Sequence, residues 1–381
     1  MYYERRRPQS FQRKRFHFNR RFFFFTALGV LFIALVFVFL FLFTNLFGNK
    51  NTITPLNITA GSQVCASSDT IYSLSGSTVT ARNFSGTEKW SVPFSSSDLK
   101  LINSDTLVCV YNASSAIVLG ADKTHMFSVD AVDVTIERAV CGKEHLALLV
   151  KSTTTEDETE VSTYYIRIFD QQGTELDREE ITNGTLLKFG FYGDADNLWF
   201  LTVDTSGVSP ISRITTINPT QKTTTGRVEL NGQLVTDVFY PDNELCYLSG
   251  TTNLSYYDLF NTKQGDILIY GLECVDTTYN GNEFLLLYVP RNASEEGYTS
   301  LRILSIDSTD TTLQLPDDIF SVVGSGDEIY CFSKNQAIVF KVTGEYVSTI
   351  PFETPISNVQ KLSDSQVLIT TSQGLSLMSI G

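Results

Sequence analysis

Residues 319–350 read IFSVVGSGDEIYCFSKNQAIVFKVTGEYVSTI, which is four apolar runs separated by three polar turns. The runs are rich in β-branched and aromatic residues, and the turns contain Gly, Asp, Asn and Ser. This pattern predicts a four-stranded antiparallel meander. Because a single such sheet would expose both of its faces, it also predicts further copies that pack against it.

One part of this unit, a polar turn followed by an apolar run, occurs eight times along the chain. The copies are residues 68–72, 104–108, 142–146, 196–199, 242–245, 281–284, 327–330 and 363–367. Their spacing of roughly 36 to 53 residues lies inside or near the range of propeller blades. The repeat therefore predicts an all-β fold, an eight-bladed β-propeller, with a seven-bladed ring as the alternative.

The predicted ring has seven complete blades and one that lacks a strand. The complete blades are residues 61–97, 98–133, 134–184, 185–233, 234–272, 273–318 and 319–355. Residues 356–381 supply three strands only. The segment Thr52–Thr59 precedes the first blade, so we predict that it closes the eighth blade as the outermost strand. Pro55 is tolerated there because an outermost strand is an edge.

The N-terminal residues predict a membrane anchor. Residues 1–21 carry eight Arg and Lys residues against one Glu, and Phe22–Phe47 contains no charged residue. A helix over that apolar stretch is about 39 Å long, enough to cross a hydrocarbon core of about 30 Å. Basic residues before the span place the tail in the cytoplasm. A cleaved secretion signal is the alternative, although its apolar core is usually about 7–15 residues.

We therefore expect a single-pass protein of the plasma membrane. After a linker at residues 48–52, residues 53–381 form the extracytoplasmic domain. The whole chain has a net charge of −14 although its tail is basic. The domain is therefore more acidic still, and it should be repelled by nucleic acid and by anionic lipid. The expected partners are the bilayer, through the helix, and a protein of the cell envelope.

Recognition is predicted on the face of the ring that carries the second-to-third loops. Three of these loops are longer than the rest, namely Ser152–Ser162, Asp204–Pro210 and Pro290–Ser300. Insertions on one face of a repeat ring often mark its binding face, and neutral drift is the alternative. The candidate partner-binding residues are Glu156, Asp157, Glu158, Glu160, Arg291, Glu295, Glu296 and Tyr298. The opposite face, with the Asp and Asn turns, is expected to look toward the membrane.

Few features of the sequence point to catalysis, and we expect no cofactor and no metal. The sequence has no nucleotide-binding, nucleophile-elbow or zinc-protease motif. Its six cysteines are dispersed among apolar strands, which is typical of small buried hydrophobic residues, although an exported domain permits disulfides. Asp194–Asn197 resembles the start of a calcium loop but lacks the later Gly and Glu, so a structural turn is favoured.

An enzyme with its site at the central channel is the main alternative to a binding or scaffolding module. Such an enzyme should concentrate ionisable groups on the innermost strands. The ionisable residues predicted there are Glu137, Arg138, Lys188, Asp237, Asp276 and Lys361. Their mutual contact around one pocket would favour the enzyme.

Two resemblances to known families support the propeller prediction. Ala81–Trp90 resembles the tryptophan docking motif of quinoprotein-like propellers, with Asn83 where that motif has Asp. This resemblance implies a scaffold like those of quinoproteins or outer-membrane-assembly lipoproteins, without quinone chemistry. The basic tail, Phe-rich anchor and degenerate propeller together are similar to a family of single-pass envelope proteins of unknown function from Gram-positive anaerobic bacteria. That second resemblance implies no catalytic residues.

Overall fold

The computed structural model describes residues 51–381, with gaps at residues 60, 68, 157–158, 183, 243–244 and 292–296. The predicted tail and anchor, residues 1–47, lie outside the described residues. Regular secondary structure in the described part consists of thirty-two β-strands and no helix. Accordingly, no helix able to cross a membrane occurs between Asn51 and Gly381 outside those gaps.

The strands form eight four-stranded antiparallel sheets, and seven of these contain four consecutive strands. Blade 1 contains β2 (Gln63–Ser67), β3 (Thr70–Ser75), β4 (Thr78–Asn83) and β5 (Glu88–Pro93). Blade 2 contains β6 (Lys100–Asn103), β7 (Leu107–Tyr111), β8 (Ser115–Gly120) and β9 (His125–Asp130). Blade 3 contains β10 (Thr135–Cys141), β11 (Leu146–Glu156), β12 (Thr159–Phe169) and β13 (Glu175–Glu180). Blade 4 contains β14 (Thr185–Tyr192), β15 (Asn197–Asp204), β16 (Ile211–Asn218) and β17 (Thr223–Asn231).

The remaining blades continue the same order. Blade 5 contains β18 (Val235–Phe239), β19 (Leu245–Gly250), β20 (Asn253–Asp258) and β21 (Lys263–Leu268). Blade 6 contains β22 (Leu272–Tyr279), β23 (Phe284–Pro290), β24 (Ser300–Leu304) and β25 (Asp310–Gln314). Blade 7 contains β26 (Ser321–Ser325), β27 (Glu328–Phe332), β28 (Gln336–Lys341) and β29 (Tyr346–Pro351). Blade 8 contains β30 (Ile356–Ser363), β31 (Gln366–Thr371), β32 (Gly374–Ser379) and β1 (Ile53–Pro55).

The predicted closure of the ring is confirmed. Strand β1 pairs antiparallel with β32, with Ile53 opposite Met378 and Pro55 opposite Ser376. Blade 8 therefore has the order β1-β32-β31-β30, and the ring has eight blades rather than seven. The strand Ile53–Pro55 is shorter than the predicted Thr52–Thr59, although backbone hydrogen bonds to β32 extend from Thr52 to Leu56. Beyond the strand, Leu56 and Ile58 are buried in a cluster that contains residues of blades 8 and 1.

The core consists of apolar layers between neighbouring blades. The second strand of each blade contributes most to these layers because it is covered on both faces, as in β7 and β27, where every residue is buried. Three of the cysteines, Cys109, Cys246 and Cys331, are buried on second strands. All six are unpaired thiols, which agrees with the interpretation of the cysteines as small hydrophobic residues.

The two faces of the ring carry different connections. We call the face with the first-to-second and third-to-fourth connections the turn face, and the face with the second-to-third and fourth-to-first connections the loop face. The described chain begins on the turn face, where Asn51 Oδ1 lies 3.3 Å from the hydroxyl of Tyr330. The backbone N–H of Gly381 donates to the same hydroxyl at 2.8 Å. The two ends of the described chain therefore meet at one side chain of blade 7.

The prediction of a long loop at Ser152–Ser162 is wrong, because these residues belong to a β-hairpin. Strands β11 and β12 stay paired from Leu146 opposite Phe169 to Glu156 opposite Thr159. The Thr-rich sequence explains this result, since Thr favours strands even where both faces are solvated. The other two segments, residues 205–210 and 291–299, contain no regular strand in their described residues, as predicted.

The end of this hairpin extends beyond the rest of blade 3. Strand β10 pairs with β11 only as far as Lys151, and β13 pairs with β12 only as far as Tyr165. We call residues 152–163, less the gap at 157–158, the ribbon. Among the described residues, the ladder of β-strand pairs adds no third strand to either edge of the ribbon.

Candidate functional site: the central channel

A β-bulge recurs at the same place on the innermost strands of blades 3 to 6. The register shifts between Ile136 and Arg138, Leu186 and Lys188, Val235 and Asp237, and Cys274 and Asp276. A bulge redirects the side chain that follows it. The residue that follows is charged in all four blades, namely Arg138, Lys188, Asp237 and Asp276. The bulges therefore place charges along half of the ring.

In blades 3 to 5 these charges form contacts between neighbouring blades. Arg138 donates hydrogen bonds to the carbonyl oxygens of Leu187, at 2.7 Å, and Leu186, at 3.3 Å. Lys188 forms an ion pair with Asp237. Arg138, Lys188 and Asp237 also line a cavity of about 360 Å³. The contacts link the three blades in sequence.

The fourth charge, Asp276, connects blades 6, 7 and 8. Its Oδ2 accepts a hydrogen bond of 2.9 Å from Gly324 N–H and lies 3.2 Å from Lys361 Nζ. Lys361 also donates to the carbonyl oxygen of Thr277 at 2.7 Å. Burial raises the pKa of Asp276, and this effect outweighs the lowering by Lys361 and by the backbone donors. The pair lines a second cavity, of about 600 Å³.

The six ionisable residues named from the sequence therefore do not form one cluster. Lys188 pairs with Asp237 and Lys361 with Asp276, in two separate cavities. Glu137 is the bulged residue of β10, and its carbonyl oxygen accepts a hydrogen bond from Lys100 at 3.5 Å. Charges that neutralise one another across blade boundaries fit a role in holding the ring together. The enzyme hypothesis required all six residues to be in mutual contact around one pocket, and they are not.

The calcium-like segment contains a buried structural contact between blades 3 and 4. Asp196 is 3% exposed and accepts hydrogen bonds from the backbone N–H groups of Lys143, Glu144 and His145 at 2.9, 2.6 and 3.2 Å. A Cβ on Gly142 would lie 2.5 Å from Asp196 Oδ2, so this contact requires glycine. The favoured interpretation of this segment as a structural turn is confirmed. No group of three or more His, Cys, Asp or Glu residues able to hold a metal occurs in the described residues.

The largest of these cavities opens among the turn-face connections and has a volume of about 850 Å³. Its aromatic lining comes from blades 4, 5 and 6 and consists of Phe191, Tyr192, Trp199, Phe239, Tyr240 and Phe284. The rings of Tyr192 and Tyr240 stack with centroids 3.9 Å apart and planes 15° apart. The Trp199 indole lies across Gly190, where a Cβ would be 3.1 Å from Nε1. We call this site the aromatic cavity.

Sequence reasoning missed the aromatic cavity, although the sequence contains a signal for it. Phe191-Tyr192-Gly193-Asp194 and Phe239-Tyr240-Pro241-Asp242 are the same Phe-Tyr-x-Asp phrase at the ends of two consecutive innermost strands. The innermost strands of the other six blades end without a Phe-Tyr pair. Comparing the eight copies position by position would have revealed the exception.

A family model described as "Family of unknown function (DUF5711)" matches residues 49–380. The chain belongs to this family. The match includes the closing strand and all eight blades, so the family model spans the whole ring. A search of curated protein sequences found no significant match to this DUF5711 chain.

Solved structures similar to this DUF5711 chain are propellers with very different sequences. BamB from Moraxella catarrhalis has 10% identity and a TM-score of 0.56, covering 87% of this chain and 99% of that chain. The C-terminal WD40 domain of Sif2 has 13% identity and a TM-score of 0.57, covering 87% of this chain and 99% of that chain. Quinohemoprotein alcohol dehydrogenase from Comamonas testosteroni has 8% identity and a TM-score of 0.54, covering 87% and 76%. At such identities the similarity shows the fold alone.

The local resemblance to quinoprotein-like propellers extends to the packing of one residue. In the DUF5711 ring Trp90 is buried, and its indole N–H donates to the carbonyl oxygen of Ala121 in the connection of blade 2 at 3.1 Å. Asn83 replaces the usual Asp and accepts hydrogen bonds from the N–H groups of Ser85 and Thr87 at 3.1 and 2.8 Å. The motif therefore packs blade 1 against blade 2.

The structure describes only some of the candidate partner-binding residues of this DUF5711 protein. Glu160 is exposed on the ribbon. Arg291 and Tyr298 flank a gap and are half-buried; Arg291 donates to the carbonyl oxygen of Leu272 at 3.1 Å, and Tyr298 packs against an apolar cluster. Asp157, Glu158, Glu295 and Glu296, and the side chain of Glu156, lie outside the described residues. The partner-binding role of all eight stays a prediction.

Proposed function

We propose that the protein is a membrane-anchored extracytoplasmic module that binds or scaffolds a protein partner through the loop face of blades 3 and 4. The observation that carries this proposal is the ribbon, which extends past both of its neighbouring strands. A strand with open backbone N–H and C=O groups can accept an additional strand from a partner.

Exposed apolar side chains accompany the ribbon on this face. Val161 and Tyr164 are exposed on β12, and Val208 is fully exposed in the loop between β15 and β16 of the next blade. Val132, in the connection that enters blade 3, is 73% exposed. Apolar side chains grouped at a protein surface often mark a site of protein–protein contact. The ribbon would supply backbone hydrogen bonds, and these side chains would supply apolar contact area.

Removing the ribbon should abolish partner binding without unfolding the ring. We suggest replacing residues 152–163 by Asn-Gly, which would close β11 and β12 at the Lys151–Tyr164 pair with a two-residue turn. The stability change should be within about 0.5 kcal/mol, because the ribbon packs on no third strand. A photo-crosslinker at Val208 should lose its protein product in this variant.

A matched crosslinker at Phe260, which is 88% exposed on the turn face, serves as the control. Its products should be unchanged when the ribbon is removed. If the Val208 product persists at full yield in the ribbon-less protein, the loop face does not bind a partner through the ribbon.

The membrane location in this proposal rests on the charge and apolar pattern of residues 1–47. With the N-terminus in the cytoplasm, a cysteine at Glu160 should react with a membrane-impermeant maleimide in intact cells, and one at Arg13 should react only after permeabilisation. The native thiols give little background because all six are buried or half-buried, and burial raises the pKa of Cys65, Cys246 and Cys331 to about 12. Equal labelling of both sites in intact cells would contradict this topology.

A further inference from the structure

We propose that the aromatic cavity is a binding site for an alkylammonium group, carried either by a free small amine or by a lysine side chain. This site lies among the turn-face connections, so it is separate from the proposed partner surface on the loop face. Its volume of about 850 Å³ is within the range of small-molecule sites.

The aromatic residues suit the alkyl part and the charge of such a ligand. Six aromatic side chains line the cavity, and all six are half-buried, so part of each remains accessible. Thr216 and Thr225 lie near the hydroxyl of Tyr192, Cys246 lies near that of Tyr240, and burial raises the pKa of both tyrosines. With their hydroxyls directed into the protein, the tyrosines contribute ring surface to the cavity. Aromatic surface attracts cations through the ring quadrupole and covers methylene groups through dispersion.

The charges in the cavity select for a cation. Its lining contains four carboxylates, of Asp105, Asp194, Asp196 and Asp242, and Lys143 is the only basic residue among the described residues that line it. Lys143 pairs with Asp194 at 2.7 Å. Asp196 is compensated by the backbone N–H groups described above. Four carboxylates against one lysine give the described lining of the cavity a net negative charge, on a domain whose acidic residues outnumber its basic ones.

The repeat provides an internal comparison that separates this site from the general fold. Every blade contains the polar turn, so carboxylates in these turns are explained by folding alone. Only blades 4 and 5 add Phe-Tyr before the turn, and these two blades supply the stacked tyrosines and Trp199. A feature confined to adjacent blades and directed at one cavity is better explained by a ligand than by the requirements of the repeat.

The chain contains only two tryptophans, and this allows a direct measurement. In the full-length chain with Trp90→Phe, Trp199 becomes the sole tryptophan and reports on the cavity. We suggest titrating with 1,5-diaminopentane, its uncharged analogue 1,5-pentanediol and its anionic analogue glutarate. The diamine should change Trp199 fluorescence saturably, with an affinity at least about tenfold higher than those of the other two probes. Calorimetric titration of the unsubstituted chain covers the case in which Trp90→Phe disturbs blade 1.

Two conservative variants and a control assign the binding to the cavity. Asp105→Asn and Asp242→Asn remove one charge each while keeping an acceptor, and each should weaken diamine binding at least about fivefold. Asp317→Asn removes an exposed carboxylate on the loop face and should leave binding unchanged.

The capped peptide acetyl-Gly-Lys-Gly-amide distinguishes the two sources of the alkylammonium group. Saturable binding of the peptide assigns the site to a lysine side chain, and binding of the diamine alone assigns it to a free amine.

Three results would overturn the proposal. The first is an equal affinity for the diamine and the diol, which would mean that the ammonium charge is not recognised. The second is unchanged diamine binding in both cavity variants. The third is the absence of a saturable response to both the diamine and the lysine peptide.

Discussion

A chain that begins at Gly61 should lose most of its stability, whereas a chain that begins at Asn51 should retain it. The shorter chain lacks β1, which would leave the edge of β32 open, and it lacks the buried side chains of Leu56 and Ile58. Truncation of one such side chain to Ala typically costs about 2–5 kcal/mol. Losing both should remove roughly 4–10 kcal/mol from a total that is usually about 5–15 kcal/mol.

Urea unfolding followed by tyrosine and tryptophan fluorescence measures this difference. The chain from Asn51 is the matched control, because it differs only by the ten residues that contain the closing segment. The unpaired edge of β32 should also promote association, which light scattering would detect. Equal unfolding midpoints for the two chains would mean that β1 does not hold the ring closed.

Asp196→Ala should be the most damaging single substitution in the turns. It leaves three backbone N–H groups, those of Lys143, Glu144 and His145, without their buried acceptor. Breaking a buried charged contact in this way costs about 3–5 kcal/mol. Asp196→Asn keeps an acceptor and should cost less, about 1–2 kcal/mol. Asp122→Ala is the control, because Asp122 lies in an exposed turn, and it should cost under about 1 kcal/mol of stability.

The pH dependence of the Asp196 contribution has a definite sign. Burial raises the pKa of Asp196, but hydrogen bonds from His145 and from the N–H groups of Glu144 and Lys143 outweigh this effect and lower the pKa overall. A lowered pKa in the folded state stabilises the protein at pH values above the unfolded pKa of about 3.9. This stabilisation is lost as the pH falls through the folded pKa. The difference in the free energy of unfolding between the native protein and Asp196→Asn should therefore be constant near pH 5 and decrease below about pH 4.

The sequence was sufficient for the architecture because the deciding signals are local and repeated. Alternating strands and turns give the blade, and the count of turns gives eight blades. A strand deficit at residues 356–381, with a surplus segment at Thr52–Thr59, predicts the closure, and the structure places the paired strand at Ile53–Pro55. Each of these inferences needs only the spacing of residue types along the chain.

The channel could not be predicted in the same way because its geometry depends on register. The bulges before Arg138, Lys188, Asp237 and Asp276 decide where these side chains lie, and no residue type marks a bulge in advance. The pairing of Asp276 with Lys361 passes over blade 7, so it depends on the radius of the whole ring. The ribbon was missed for a different reason, since a polar Thr-rich segment is equally compatible with a loop.

The position of β1 also sets a time order for folding. The strand is among the first parts of this domain to be synthesised, but its partner β32 lies in the last ten residues. During synthesis blades 1 to 7 can form in turn while β1 has no strand to pair with. The ring can close only when nearly the whole domain has left the ribosome, because β1 must form its contact over more than 300 residues of sequence. Such distant contacts form slowly. Closure is therefore expected to be the late step in maturation, and a stalled or truncated chain should persist as an open arc.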